Sequence, residues 1–364
     1  MRIRSANKGE LFTLPVPKEK QLPKARALLA VLTLVVLAAC GKGTPITSGT
    51  ASPPPTPPPA VVAQYTIPTA SSEPMGIAVG SDGNLWFTEF AASKLGTLLH
   101  GGHIGEQVTP SRHAEPNGIA SGSGPNLNLW FTESSRATVG QITVAGQPFV
   151  EYTLPDPAAR PVGITLGSDG NMWLTDPGTN SIWRIKAIKR RPFVLFKQYR
   201  LTGNAQPLTI TNGPDDALWF TEPGTNRIGR LPISGYPLNE YVVPTANSKP
   251  TGIAPGLDNA LWFTEEKSLK IGRISTSGVV TAEYPVTGAV TPNQILQGID
   301  GNFYFTDTAG NKIGQFFFRG HNVNYYKIPT PNSEPTAMVL GIDSQIYLIE
   351  TAGNKIAQFR YFAV

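Results

Sequence analysis

The chain has 364 residues, 15% of them charged, with a formal net charge of +5, four histidines and one cysteine. A single cysteine excludes any disulfide within the chain, and four scattered histidines offer no Cys/His zinc cluster. The excess charge is confined to the N-terminus: the first 39 residues hold seven basic and two acidic side chains, so 23 of each remain beyond them. That neutrality removes the electrostatic case for a nucleic-acid partner.

Residues 27–39, ALLAVLTLVVLAA, form an apolar run of 13 preceded by Lys20, Lys24 and Arg26. The run is shorter than the ~20 residues of a membrane span and suits the core of a signal peptide. It ends in Leu37-Ala38-Ala39-Cys40, which resembles the lipobox of bacterial lipoproteins. The resemblance implies removal of 1–39, lipidation of Cys40, and an extracytoplasmic position at the bacterial envelope, in the periplasm or on the cell surface. From Cys40 to residue 60 the chain is rich in proline, including ASPPPTPPPA, which cannot pack a core and reads as an extended tether.

From residue 61 to 364 one pattern recurs. Its anchor aromatics are Trp86, Trp130, Trp173, Trp219, Trp262, Tyr304 and Tyr347, at spacings of 44, 43, 46, 43, 42 and 43. A period in the low forties with four short strands per repeat predicts an all-β fold, a seven-bladed β-propeller, in one domain. Each period starts at a proline, as in PMGIA from Pro74, PNGIA from Pro116 and PTGIA from Pro250, read as the innermost strand. Turns such as Asp82-Gly83, Asp169-Gly170 and Asp300-Gly301 follow, where glycine takes positive φ at little cost. Next come an LWFTE-type strand, an IGRI-type strand and an outer strand such as EYTLP from Glu151. The seventh copy lacks its outer strand, and an orphan outer strand, QYTIP from Gln64, precedes the first. The N-terminal strand is therefore expected to complete the last blade and close the ring, which leaves no open sheet edge.

A carboxylate ends every LWFT-type strand: Glu89, Glu133, Asp176, Glu222, Glu265, Asp307 and Glu350. Lys94, Arg227, Lys270, Lys312 and Lys355 stand five residues later, which predicts hairpin salt bridges or caps; the alternative is a ring of carboxylates at a channel mouth. Seven near-equivalent positions favour the structural role. His100 and His103 flank a Gly-Gly turn with too few ligands for a metal, His113 stands within reach of a channel mouth, and His321 reads as exposed. Lys186, Lys189, Arg190 and Arg191 form a basic loop, solvated or in contact with an anionic glycan or lipid headgroup.

The combined pattern, P-x-G-I, G-x-D-G-x-L-W-F-T-E, N-K-I-G-R-I and E-Y-x-L-P, resembles the streptogramin B lyase (virginiamycin B lyase) family over all seven repeats. The resemblance implies a seven-bladed propeller and a Mg²⁺-dependent opening of a cyclic depsipeptide by elimination at an ester. Such chemistry needs a base for the α-proton and a metal for the developing enolate. The family's late inner strands read P-H-A-I and E-P-H-G-I. Here Asn293 and Thr336 stand at the histidine positions, whereas Glu334 and Glu350 match family carboxylates and are the candidate catalytic and metal-binding residues. Asparagine and threonine do not act as bases near neutral pH.

Three functions follow from these residues. One is an envelope-anchored monomeric propeller that binds a small molecule, glycan or protein at its channel mouth through Asn117, Thr251, Asn293 and Thr336, without lyase activity. A second is a Mg²⁺-dependent lyase using Glu334 and Glu350, and the third is an envelope scaffold for protein partners.

Overall fold

The computed structural model describes residues 60–122, 128–146, 148–188 and 193–361. The apolar run 27–39, Cys40, the proline-rich tether and three of the four basic loop residues, Lys189, Arg190 and Arg191, lie outside the described residues. Among the described residues no helix is long and apolar enough to cross a membrane.

All regular structure is β, in seven four-stranded antiparallel sheets. Blade 1 runs outward from Pro74–Val79 through Leu85–Glu89 and Lys94–Leu98 to Ile104–Val108. Blades 2 to 6 repeat this order. Blade 7 takes Pro335–Leu340, Ile346–Glu350 and Lys355–Arg360 from the C-terminal end, and its outer strand is Ala60–Thr66 from the N-terminal end. The seam pairs Gln64 with Ala357 and Thr66 with Lys355, as the orphan strand predicts. Across the same junction, Thr351 Oγ1 donates to the Pro74 carbonyl at 2.8 Å and Ser72 N donates to Asn354 Oδ1 at 3.0 Å.

The LWFTE strands are buried on both faces because each blade is sandwiched between two others. Trp219 packs with Ile253, Leu261 and Phe263 of blade 5, while Phe220 packs with Trp173, Ile182 and Tyr199 of blade 3. The threonine that follows is a staple. Thr132 Oγ1 accepts from Gly118 N at 2.9 Å within its blade and donates to the Val162 carbonyl of the next at 2.7 Å. Thr88, Thr175, Thr221, Thr264 and Thr306 make the same donation to the following blade. A hydroxyl is the one small group that satisfies a donor and an acceptor at once in a buried place.

Two further devices fix the blade. The glycine of the IGRI strand faces the phenylalanine ring of the WFT strand: a Cβ on Gly229 would lie 2.0 Å from Phe220. Blade 7 pairs Ala357 with Leu348, so the larger strand residue comes with the smaller partner. The aspartate of the first turn also holds the anchor aromatic, Asp215 Oδ1 accepting from Trp219 Nε1 at 2.9 Å and Asp300 Oδ2 from the Tyr304 hydroxyl at 2.8 Å.

Candidate functional site at the channel mouth

Each inner strand begins at the proline, and in five blades the pairing register slips just after it, as between Pro116 and Ile119. A bulge of this kind re-aims side chains, and here it turns the residues after proline toward the axis. Met75, Asn117, Val162, Leu208, Asn293 and Thr336 line a cavity of about 270 Å³ where the strands converge. Gln294 joins them. None of the lining residues carries an acid, a base or a thiol. The polar groups are amides and hydroxyls, half-buried, with Asn293 Nδ2 near Thr308 Oγ1 at 3.4 Å and Thr336 Oγ1 sharing a hydrogen bond with Thr351 Oγ1 at 2.8 Å.

Thr251 occupies the same slot in sequence but not in space. It is buried, its hydroxyl bonded to Thr264 Oγ1 at 3.0 Å and directed at the Pro292 carbonyl at 3.4 Å, and it does not line the cavity.

Glu334 and Glu350 are close in the fold, since Pro335 pairs with Glu350, but one side chain is exposed and the other is buried. Glu334 is exposed, with φ of 50° and its carbonyl accepting from Thr351 N. Glu350 is fully buried and reaches outward along its blade, away from the channel, where Oε1 accepts from Gln64 Nε2 at 2.5 Å. Oε2 has no hydrogen-bond donor and is enclosed beside Gly353 and Ser333. Among the described residues no three His, Cys, Asp or Glu side chains converge on one point. A hard divalent cation draws on several oxygen ligands, and this donor set does not assemble one for Mg²⁺.

The other six carboxylates of the repeat are buried like Glu350. They do not ring the channel: Asp176 and Asp307 cap backbone N–H groups of the link, accepting from Arg160 N at 2.7 Å and Thr291 N at 2.6 Å, whereas Glu89, Glu133, Glu222 and Glu265 face the outer strand of their own blade. In blades 1, 2, 4 and 5 the partner there is a second acid: Glu106, Glu151, Glu240 and Glu283, each opposite the glycine of the third strand. Blades 3, 6 and 7 carry Gln198, Tyr325 and Gln64 at that place instead. Burial, reinforced by the Glu106 charge, raises the Glu89 carboxyl to about 7. Burial and the facing Glu151 raise Glu133 to about 8. Burial, then Glu240 against the Thr225 hydrogen bond, puts Glu222 at about 8, and Glu265 is raised to about 7 by burial and Glu283 against a hydrogen bond from Ser268. In blade 1 the outer acid, Glu106, is the one that keeps the charge. Burial pushes Glu106 up, but hydrogen bonds from Lys94 and Thr69 outweigh it and hold the carboxyl below its usual range.

Four of the five basic residues therefore do not form the hairpin pairs expected of them. Lys94 bridges to Glu106 at 2.8 Å and Arg227 approaches Glu240 at 4.0 Å, both outer-strand acids. Lys270 and Lys355 donate to Thr245 and Thr330. Only Lys312 lies near its hairpin carboxylate, Asp307, at 3.5 Å among the described ion pairs. The histidines stay outside the cavity: His100 Nδ1 is 3.0 Å from Asn84 Oδ1, and exposed His321 stacks on Tyr284 at 4.2 Å. His113 is exposed and does not line the cavity.

A family model described as the virginiamycin B lyase family matches residues 58–195 and 193–361, together nearly the whole described fold. The chain belongs to the virginiamycin B lyase family. Selenomethionine-substituted virginiamycin B lyase from Staphylococcus aureus superposes with a TM-score of 0.76 at 33% identity, over 82% of this chain and 99% of that one. A streptogramin B lyase structure gives 0.75 at 32% identity, over 82% and 96%. A catalytically inactive histidine-to-alanine variant of the S. aureus enzyme with quinupristin gives 0.75 at 33% identity, over 82% and 99%. No curated protein matches the chain by sequence. The family membership agrees with the seven-bladed ring derived from the repeat.

Proposed function

We propose that this family member binds a ligand at the channel mouth and lacks the ring-opening activity of the lyases. The carrying observation is the cavity lining, in which Asn117, Asn293, Gln294, Thr209 and Thr336 are the polar side chains and no group titrates near neutral pH. Elimination beside an ester needs a base poised at the α-proton. Amides and hydroxyls donate and accept hydrogen bonds without taking that proton, so the lining fits a small molecule or glycan rich in amide, ester or hydroxyl groups. The relative inactivated by a histidine-to-alanine change supports the reading, since Asn293 and Thr336 stand where the family resemblance expects histidines. The proposal includes lipidation at Cys40, which would hold a monomeric propeller at the envelope by its proline-rich tether.

Quinupristin is the probe. The full chain is incubated with it, with and without Mg²⁺, and followed by tandem mass spectrometry, because elimination linearises the ring without changing its mass. The expected result is intact quinupristin at high protein concentration, with saturable binding weakened by Asn293→Ala and Thr336→Ala. Ring opening that needs Mg²⁺ and vanishes in Glu334→Gln would overturn the proposal and make the chain a lyase.

A further inference from the structure

The strands alternate in direction, so each blade sends its first and third turns to one face of the ring and its second turn and inter-blade link to the other. The channel mouth lined by Asn117, Asn293 and Thr336 opens where the inner strands begin, on the link face. Among the described residues the opposite face carries most of the exposed large apolar side chains, against Val108, Val242 and Val290 at the link face. In the Gly-x-Asp turn the central residue is Ser81, Ser168 and Pro214 in blades 1, 3 and 4, but Leu257, Ile299 and Ile342 in the adjacent blades 5, 6 and 7. These three are 81%, 60% and 64% exposed, which is unusual for residues of this size on three adjacent positions. Leu99, Phe193, Tyr236 and Val279, from the third turns, are exposed on the same face. Clefts of about 250 and 750 Å³ lie between these turns, the larger lined by Leu257, Phe317, Phe318 and the exposed Arg319.

The described chain begins on the same face: Ala60 pairs with Arg360, and Phe359 pairs with Ile346 just after the Gly341–Gln345 turn, so Ala60 stands among the apolar tips. The sequence before Ala60 includes the apolar run and Cys40, the proposed site of lipidation. Of the acids among the tips, Asp258 bridges to Arg273 at 2.7 Å, Asp300 and Asp343 accept from the Tyr304 and Tyr347 hydroxyls at 2.8 Å, and Asp216 is exposed. Lys186 and Arg319 are exposed there and form no ion pair among the described residues.

We propose that this face rests on a lipid surface, with Leu257, Ile299 and Ile342 inserted at the headgroup boundary and Arg319 and Lys186 against lipid phosphates. The proposal rests on the lipid-anchor reading for its tether. Apolar tips gain by leaving water, cations gain beside phosphate, and a short tether keeps the face at the surface. The channel mouth is then presented away from the bilayer.

The test places an NBD fluorophore at Ile299→Cys, or at Asn332→Cys on the link face, in the full processed chain bound to vesicles of equal parts phosphatidylethanolamine and phosphatidylglycerol. The expected result is a blue-shifted emission quenched by doxyl lipids at 299 and water-like emission at 332. A chain with Leu257→Ser, Ile299→Ser and Ile342→Ser restores the residue of blades 1 and 3. With Cys40→Ser in both, it is expected to partition into vesicles at least ~100-fold more weakly than its apolar parent, at about tenfold per tip. Water-like emission at both probes in membrane-bound protein overturns the face while leaving the anchor intact. If the processed chain does not sediment with membranes, the anchor reading fails; vesicles added to the Cys40→Ser chain then decide the face, a shift at 299 alone supporting it and none refuting it.

Discussion

Glu133 gives the sharpest test of the acid pairs. It is fully buried, neither carboxylate oxygen has a donor, and burial with the facing Glu151 raises its pKa to about 8 from 4.5. Between those values the folded chain holds a proton that the unfolded chain has lost. Stability from this group is therefore greatest below about pH 4.5, falls as pH rises through the window, and is level above about pH 8. One bound proton contributes a slope of about 1.4 kcal/mol per pH unit, so about 3 kcal/mol is lost by pH 7. Glu89, Glu222 and Glu265 titrate in overlapping windows, each raised to about 7 or 8. The parent chain should thus show a slope of several protons, and Glu133→Gln, which keeps the shape of the neutral acid, should remove one of them. Urea unfolding at intervals between about pH 5 and pH 8 reads this directly. The variant should match its parent near pH 5 and exceed it by about 2–4 kcal/mol near pH 7.5. Parallel curves, offset by a constant, would show that Glu133 does not carry the proton.

The remaining predictions concern the devices that repeat. Gly229→Ala drives a methyl into the Phe220 ring and should destabilise the fold by about 1–3 kcal/mol, whereas Gly229→Ala with Phe220→Leu, the Ala–Leu pair that blade 7 uses, should recover most of it by urea titration. Thr132→Val removes the hydroxyl shared by the Gly118 amide and the Val162 carbonyl, which stay bonded to each other at 3.1 Å, and should cost about 0.5–1.5 kcal/mol in the same assay. Gln64→Ala takes from Glu350 its one side-chain donor among the described residues and should cost about 1–3 kcal/mol at pH 7, while a surface control such as Asn324→Ala should leave the midpoint unchanged.

The architecture was legible because its signals are local and repeated. The aromatic spacing, the Asp-Gly turns and the orphan strand at Gln64 each lie within a few residues, and seven copies leave little room for another register. What escaped sequence reasoning depends on neighbours in space. The threonine of LWFTE bonds a carbonyl in the following blade, about 30 residues away, as with Thr132 and Val162. The hairpin spacing predicts Lys94 beside Glu89; on the third strand it stands equally close to the outer strand, where hydrogen bonds hold Glu106 below its usual range while burial raises Glu89. A repeated acid at the fourth-strand position was the available signal for those pairs. Thr251 shows the limit of a motif: its PTGI slot matches PNGI at Asn117, but a second hydroxyl on Thr264 captures the side chain and draws it from the channel.

The seam in blade 7 also governs the order in which the molecule can be finished. Ala60–Thr66 leaves the ribosome before any blade exists, and its partner Lys355–Arg360 emerges only after the other six blades. Six blades can form from contiguous sequence as it appears, but the seventh joins segments nearly 290 residues apart, as Gln64 and Glu350 are. Contacts that distant close late and slowly. Until they do, Lys355–Arg360 is an open edge, and the unfinished ring is the species most exposed to pairing with another copy of itself.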